Sequence, residues 1–164
     1  MELLLKIKTD EITDETNLQI REASRAILFD ENNLIPLLFV SKCNYHKLPG
    51  GGIDAGENKD QALIRECLEE VGCTISVTGE VGKIIEYRSK FKLKQTSYCY
   101  LGEIITKGKP NFTEDELNDG FKIVWLTLDN AIATVKNDKP EGYEGPFIHE
   151  RDLKFLETAR EIVS

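Results

Sequence analysis

Long apolar runs are missing from this 164-residue chain. The longest, such as LIPLLFV at 34–40, are far too short to span a bilayer, and the leading stretch MELLLKIKTDEI has neither the basic n-region nor the cleavage site of a secretory signal. No membrane contact is expected, and the cytosol is the default compartment. Paired cysteine spacing is missing too. Cys43, Cys67, Cys73 and Cys99 form no CxxC motif, which argues against a zinc site and a disulfide framework and for reduced, mostly buried thiols. Basic charge is scarce: 21 Lys and Arg stand against 29 Asp and Glu, a net charge of −8. Such a field repels polyanions, and no basic stripe marks a binder of nucleic-acid polymers, so an anionic substrate would need local cations.

What is present is an ordinary globular balance, 40% hydrophobic and 30% charged, without repeats or low-complexity segments. The length predicts one domain over 1–164 with a sizeable core. Strands are expected at 2–8 and 22–30, the second turning at DENN (30–33) into an apolar strand at 34–41 as a hairpin. Pro49 and the run Gly50, Gly51, Gly52 then predict a shaped loop. Asn58 with Gln61 has the spacing of a capping box and Gly72 suits a helix C-terminus, which predicts a helix over 59–71. Strands follow near 73–79, 81–88 and 95–105, then a loop at 106–120, a strand at 121–126, and helices at 128–137 and 149–162 after the Gly/Pro-rich KPEGYEGP at 139–146. This interspersion predicts an α/β fold, a mixed sheet with helices on its faces.

The helix after the glycines carries the chemistry. Four glutamates, Glu57, Glu66, Glu69 and Glu70, fall within LPGGGIDAGENKDQALIRECLEEVGC (48–73), with Arg65 the nearest strongly basic residue among them. At about 100° per residue Arg65, Glu66, Glu69 and Glu70 share one face, while Leu63, Ile64, Cys67, Leu68 and Val71 form an opposed apolar stripe expected to dock on the sheet. A charged face shown to water is the ordinary explanation of such a cluster. Three local preferences oppose it here. Glu66 and Glu70 are like charges at i,i+4, Glu66 and Glu69 at i,i+3, and Glu69 and Glu70 occupy the last turn, where the helix dipole favours cations. A hard divalent cation such as Mg²⁺ or Mn²⁺ would compensate, with a backbone carbonyl from the glycine loop as a further ligand.

Other motifs fail: no Lys-Ser/Thr follows the glycines as a Walker A loop requires, Ala55 stands where a dinucleotide fingerprint needs its third glycine, and Lys59 where a calcium loop starting at Asp54 needs glycine. The stretch instead resembles the Nudix box, Gly-x5-Glu-x7-Arg-Glu-U-x-Glu-Glu-x-Gly-U with U bulky and apolar, at Gly51, Glu57, Arg65, Glu66, Glu69, Glu70 and Gly72. Both U positions are cysteines, Cys67 and Cys73, a mild departure because a buried thiol packs as a small hydrophobe. The box covers about a seventh of the chain, and the strand order and LPGG lead-in extend the likeness loosely over most of the rest.

The resemblance implies an α/β/α sandwich and a Mg²⁺-dependent hydrolase of nucleoside diphosphates linked to another moiety. It implies that Glu66, Glu69 and Glu70 ligate metal, one doubling as base for water, that the Gly51 carbonyl is a further ligand, and that Arg65 and Glu57 orient the cluster. Family members recruit another acid from a later loop, and TEDEL (113–117) offers Glu116, with Glu114 second. Lys42 ends the strand before the glycines, where MutT-type members carry a phosphate-binding arginine. His46 and His149 are expected to be ordinary polar positions, and Trp125 and Tyr98 to be sheet aromatics rather than base-stacking platforms. The first expectation for substrate is a small nucleotide, a nucleoside triphosphate as in MutT-like enzymes; ADP-ribose or a nucleotide sugar is the alternative, and a non-catalytic nucleotide-binding domain a third. The oligomeric state is left open, a homodimer included.

Overall fold

Period-two burial along the long strands explains the layering of the protein, seen in a computed structural model that describes residues 1–8 and 17–164. Part of the leading stretch 1–12 therefore lies outside the described residues. The strands are β1 (Leu3–Lys8), β2 (Gln19–Phe29), β3 (Leu34–Val40), β4 (Tyr45–Lys47), β5 (Gly50–Gly52), β6 (Cys73–Arg88), β7 (Leu93–Lys107) and β8 (Phe121–Thr127). The helices are α1 (Lys59–Val71), α2 (Glu114–Asn118), α3 (Leu128–Asn137) and α4 (Gly145–Val163). A five-stranded mixed sheet runs β1-β6-β7-β2-β5, and a three-stranded antiparallel sheet runs β4-β3-β8. Along β2, Ala26 and Leu28 join the core under α1, with Leu63, Cys67 and Val71. Ile27, between them, faces the other core, with Ile132 and Val135 of α3 and Phe155 and Leu156 of α4. The result is the expected α/β/α layering.

The expected hairpin between 22–30 and 34–41 is overturned, because the two strands lie in different sheets. The turn does form. Asn33 is left-handed at φ 59°, and the Asp30 carboxylate accepts from the N–H groups of Asn32 and Leu34, both at 2.8 Å. Both edges of β2 are already taken, by β7 along its whole length and by β5 at Ala23–Arg25, so β3 swings away to pair with β4 and β8. Other boundaries also move. β2 begins at Gln19 rather than 22, and the strands expected at 73–79 and 81–88 are one strand whose register shifts beside Gly79 and Gly82 mark bulges. The loop 106–120 contains α2, and α4 begins at Gly145, inside the Gly/Pro-rich stretch and with Pro146 in its first turn. α1 agrees with expectation: Asn58 and Gln61 make both capping-box bonds, and Gly72 is left-handed at φ 70°.

Asp30 also receives Lys107 Nζ at 2.6 Å, and that contact, with the two backbone bonds, holds its carboxyl below the ordinary 3.8. Asp30→Ala strands two backbone donors, so it should cost roughly 2 kcal/mol at pH 7. A depressed folded pKa gives stability that is present above the ordinary pKa and fades as pH falls below it. The melting gap between variant and wild type should therefore narrow at pH 3; an equal gap at both pH values would refute this account of the turn. Among the described residues no helix is long and apolar enough to cross a membrane.

Candidate active site

The three glycines pair rather than loop. β5 lies antiparallel on β2, with Ala23 opposite Gly52, Ser24 opposite Gly51 and Arg25 opposite Gly50. A side chain at Gly50 would sit 2.1 Å from the Ser24 carbonyl oxygen, and one at Gly51 would sit 2.5 Å from Glu66 Oε1. Glycine is thus required at 50 by the backbone of β2, and at 51 it leaves room for the Glu66 carboxylate.

The helix wheel of α1 is rotated from its expected seat. Ile64 and Leu68 are about half exposed, whereas Glu70 is buried together with Ala62, Leu63, Cys67 and Val71. The acidic and apolar faces are therefore not opposed, and the sheet-facing side includes a carboxylate. The reason is β5: Glu70 Oε2 accepts the Gly50 N–H at 2.9 Å, a backbone donor that the short glycine strand leaves free, while Lys47 Nζ stands 3.9 Å from Glu70 Oε1. Burial pushes Glu70 from the ordinary 4.5 up to about 7 against the pull of Lys47 and Gly50, and burial likewise lowers Lys47. Glu66 is raised for the same reason.

Arg65 gathers the rest. Its Nε and Nη2 clasp Glu57 at 2.7 and 2.8 Å, Nη1 donates to Glu66 Oε1 at 2.8 Å, and Nη2 donates to the Gly52 carbonyl at 3.1 Å. The bidentate clasp, helped by the Asp54 N–H, holds Glu57 down at about 2. Glu69 is more exposed, lies 3.5 Å from Arg65 Nη1, and does not line the cleft. Arg65 thus answers Glu57, Glu66 and Glu69, and Lys47 answers Glu70.

A cleft of about 320 Å³ opens above β5, lined by Gly50, Gly51, Gly52, Glu66 and Glu70, by Glu116 and Asp119 from the α2 region, and by Arg21, Arg25, Lys47 and Arg88. Glu116 lies at its edge, third in α2, where its carboxylate closes a capping box on the Thr113 N–H at 2.9 Å. Glu114 does not line the cleft. Lys42 is exposed, 3.7 Å from Asp119, and is likewise not among the lining residues; Lys47, five residues on, occupies the cleft instead. His46 pairs with Asp138 at 3.0 Å and His149 with the Val135 carbonyl at 2.8 Å. Trp125 and Tyr98 pack with the α1 core, their rings covered by Lys107 and Lys59. Sequence reasoning missed the four cleft cations. The visible signal was Arg21 and Arg25, four residues apart in a strand and so on one face.

The carboxylates lining the cleft are Glu66, Glu70, Glu116, Asp119 and Glu144, and with the glycine-strand carbonyls its donors are all oxygens. That set suits a hard divalent cation. Among the described residues no three carboxylates, histidines or thiols close on a common point as they stand.

Comparison with known proteins agrees with this architecture. The family model described as NUDIX domain matches residues 19–145. Human diphosphoinositol polyphosphate phosphohydrolase 2 is 25% identical over 140 residues, covering 84% of this chain and 74% of that protein. A putative 8-oxo-dGTP diphosphatase of Bacillus subtilis (strain 168) is 32% identical over 78 residues, 48% of this chain and 50% of that one. Among solved structures, the MutT protein of Methanosarcina mazei Go1 superposes with a TM-score of 0.62 at 17% identity, covering 90% of this chain and 98% of its own, a likeness of fold.

Proposed function

The chain belongs to the Nudix family, hydrolases of diphosphate linkages, and we propose that it is a Mg²⁺-dependent pyrophosphohydrolase of a multiply phosphorylated small molecule, a nucleoside triphosphate first. The observation that carries this reading is the convergence of Glu66 and Glu70 on the glycine strand within a cleft that also holds four cationic side chains. When bound, the cation supplies positive charge to the pyrophosphate oxygens and lowers the pKa of the attacking water.

The chain's own residues prepare that site. Arg65 fixes Glu66 and Glu57, and the Gly50 N–H fixes Glu70, so the carboxylates are oriented before any ligand arrives. Glu66, Glu70 and the Gly51 carbonyl would hold the cation, with Glu69 and Glu116 completing the set from the exposed side. Lys42, exposed beside Asp119 outside the lining, would meet at most the distal part of a phosphate chain. A second reading, a diphosphate on a polyphosphorylated ring, draws on the human relative's name and on the cleft itself. Apart from the glycines its apolar lining is Tyr45, Phe121 and Ile148, and Lys47 lies over the Phe121 ring at 4.6 Å, which leaves little surface for a base to stack on.

The test is a panel of nucleoside triphosphates, ADP-ribose and a diphosphorylated inositol polyphosphate, assayed for phosphate or pyrophosphate release. Turnover should need Mg²⁺ or Mn²⁺ and stop in excess EDTA. Full turnover in EDTA, or none on any member with Mg²⁺, would sink the proposal.

A further inference from the structure

Four arginines crowd the α4 side of the five-stranded sheet, and among the described residues only two of them form ion pairs with carboxylates. Strand register sets the arrangement: Arg21 lies opposite Gln95 on β7, and Gln95 opposite Glu86 on β6. Arg88 is bound by Glu86 and Glu144, and Arg151 by Glu86 and Asp152. Among the described residues Arg21 donates only to the neutral amide of Gln95, and Arg25 only to the Gly50 carbonyl, at 2.9 Å. Arg25 is 5% exposed, and its Nε has no hydrogen-bond partner. Asp152, Glu70 and Glu86 act on Arg25 only from beyond ion-pair contact, so a buried guanidinium with an unmet donor is left for an anion to complete.

Both side chains line the cleft and reach the two ends of the glycine strand. Arg25 bonds Gly50, whereas Arg21 lies across Gly52, where any Cβ would meet its Nη2 at 2.9 Å. The glycines therefore make room for guanidinium groups as well as for Glu66. A planar fork with free donors matches a phosphoryl group.

We propose that Arg21 and Arg25 form an anion subsite beyond the diphosphate that is cleaved, so that the enzyme selects substrates with at least one further phosphate over those whose two phosphates join organic groups. This rests on the reading that the cleft hydrolyses a diphosphate linkage. A triphosphate tail and a polyphosphorylated ring both meet the requirement; ADP-ribose does not.

The subsite can be read without catalysis, by calorimetric titration with inorganic tripolyphosphate and with pyrophosphate in EDTA at low ionic strength. The acidic residues repel both probes, the longer one more, so tighter binding of tripolyphosphate reports the cleft cations, and the variants assign it to Arg21 and Arg25. Wild type should prefer tripolyphosphate by about tenfold or more, and exposed Arg21→Gln should lose most of that preference with an unchanged melting temperature. Arg25→Lys, which keeps the buried charge but not the fork, should lose a similar factor. Equal binding of the two probes by wild type, or an unchanged preference in Arg21→Gln, overturns the subsite. Hydrolysis is scored separately. A wild type that prefers tripolyphosphate yet turns over nothing with Mg²⁺ supports the subsite and refutes the enzymatic reading, whereas turnover without the preference does the reverse.

Discussion

Glu70→Gln and Glu66→Gln should each lower kcat at least about a hundredfold while leaving the protein folded. Both carboxylates face the glycine strand, and glutamine keeps their size and one carbonyl acceptor, so the Gly50 N–H and Arg65 retain a partner. What is lost is the negative charge that would hold a cation against a pyrophosphate. Stability should respond differently. In EDTA, wild-type Glu70 ionises only near pH 7, well above the ordinary 4.5, because burial disfavours its charge. A folded pKa raised above the unfolded one gives stability that is present at low pH and fades as pH climbs from about 4.5 through 7. Glu70→Gln should remove that decline, giving a flatter melting curve against pH. Lys47 loses its 3.9 Å neighbour in the same variant, so no large net gain at pH 8 is expected. The measurements are kcat with Mg²⁺ and melting between pH 5 and 8 without it. A variant that is inactive because it unfolds, or one that keeps wild-type kcat, would return these glutamates to a structural role.

Why α1 was legible and its neighbours were not follows from the range of the interactions. The capping box at Asn58 and Gln61, the left-handed Gly72 and the carboxylate spacing all act within one helix, so sequence distance maps directly onto geometry. The side of α1 that is buried is set from outside. Glu70 turns inward because β5 offers it the Gly50 N–H, and Ile64 and Leu68 are left half exposed in consequence. The hairpin misassignment has the same origin, since the turn at Asp30 formed as its residues dictate while the strand pairing was decided by β5 and β7. Helix α2 was legible in principle: Thr113 and Glu116 have capping-box spacing, but five residues are too few for an apolar period to show. The arginine cluster was the least legible feature, because Arg21, Arg25, Arg88 and Arg151 meet only when β2, β6 and α4 are in register. A net charge of −8 said nothing of where the cations gather.

Arg151→Met should cost about 3–5 kcal/mol, lowering the melting temperature by roughly 10 °C, although Arg151 touches no residue of the carboxylate cluster on α1. Its side chain is fully buried between Asp152 Oδ1, at 2.7 Å from Nε, and Glu86 Oε1, at 2.9 Å from Nη1. Glu86 and Asp152 are equally buried, so removing the guanidinium leaves two buried carboxylates, of which Glu86 keeps Arg88 and Asp152 keeps, among the described residues, no ion pair in contact. Burial alone would raise the pKa of Glu86, yet Arg151 and Arg88 outweigh it and hold that group below its ordinary range. The same linkage then runs opposite to that of Glu70: this contribution is present at neutral pH and lost as the solution is acidified through the folded pKa of Glu86. The network also reaches the site. Asp152 Oδ2 accepts the Leu48 N–H at 2.9 Å, and Leu48 lies two residues before Gly50. Loosening Asp152 should therefore let β5 shift under Glu70, and surviving folded Arg151→Met should show a reduced kcat. Adding Glu86→Gln to Arg151→Met should recover part of the lost stability, because one of the two stranded charges is gone. A single variant melting within about 2 °C of wild type, or a double variant less stable than the single, would show that the network does not hold α4 to the sheet in this way.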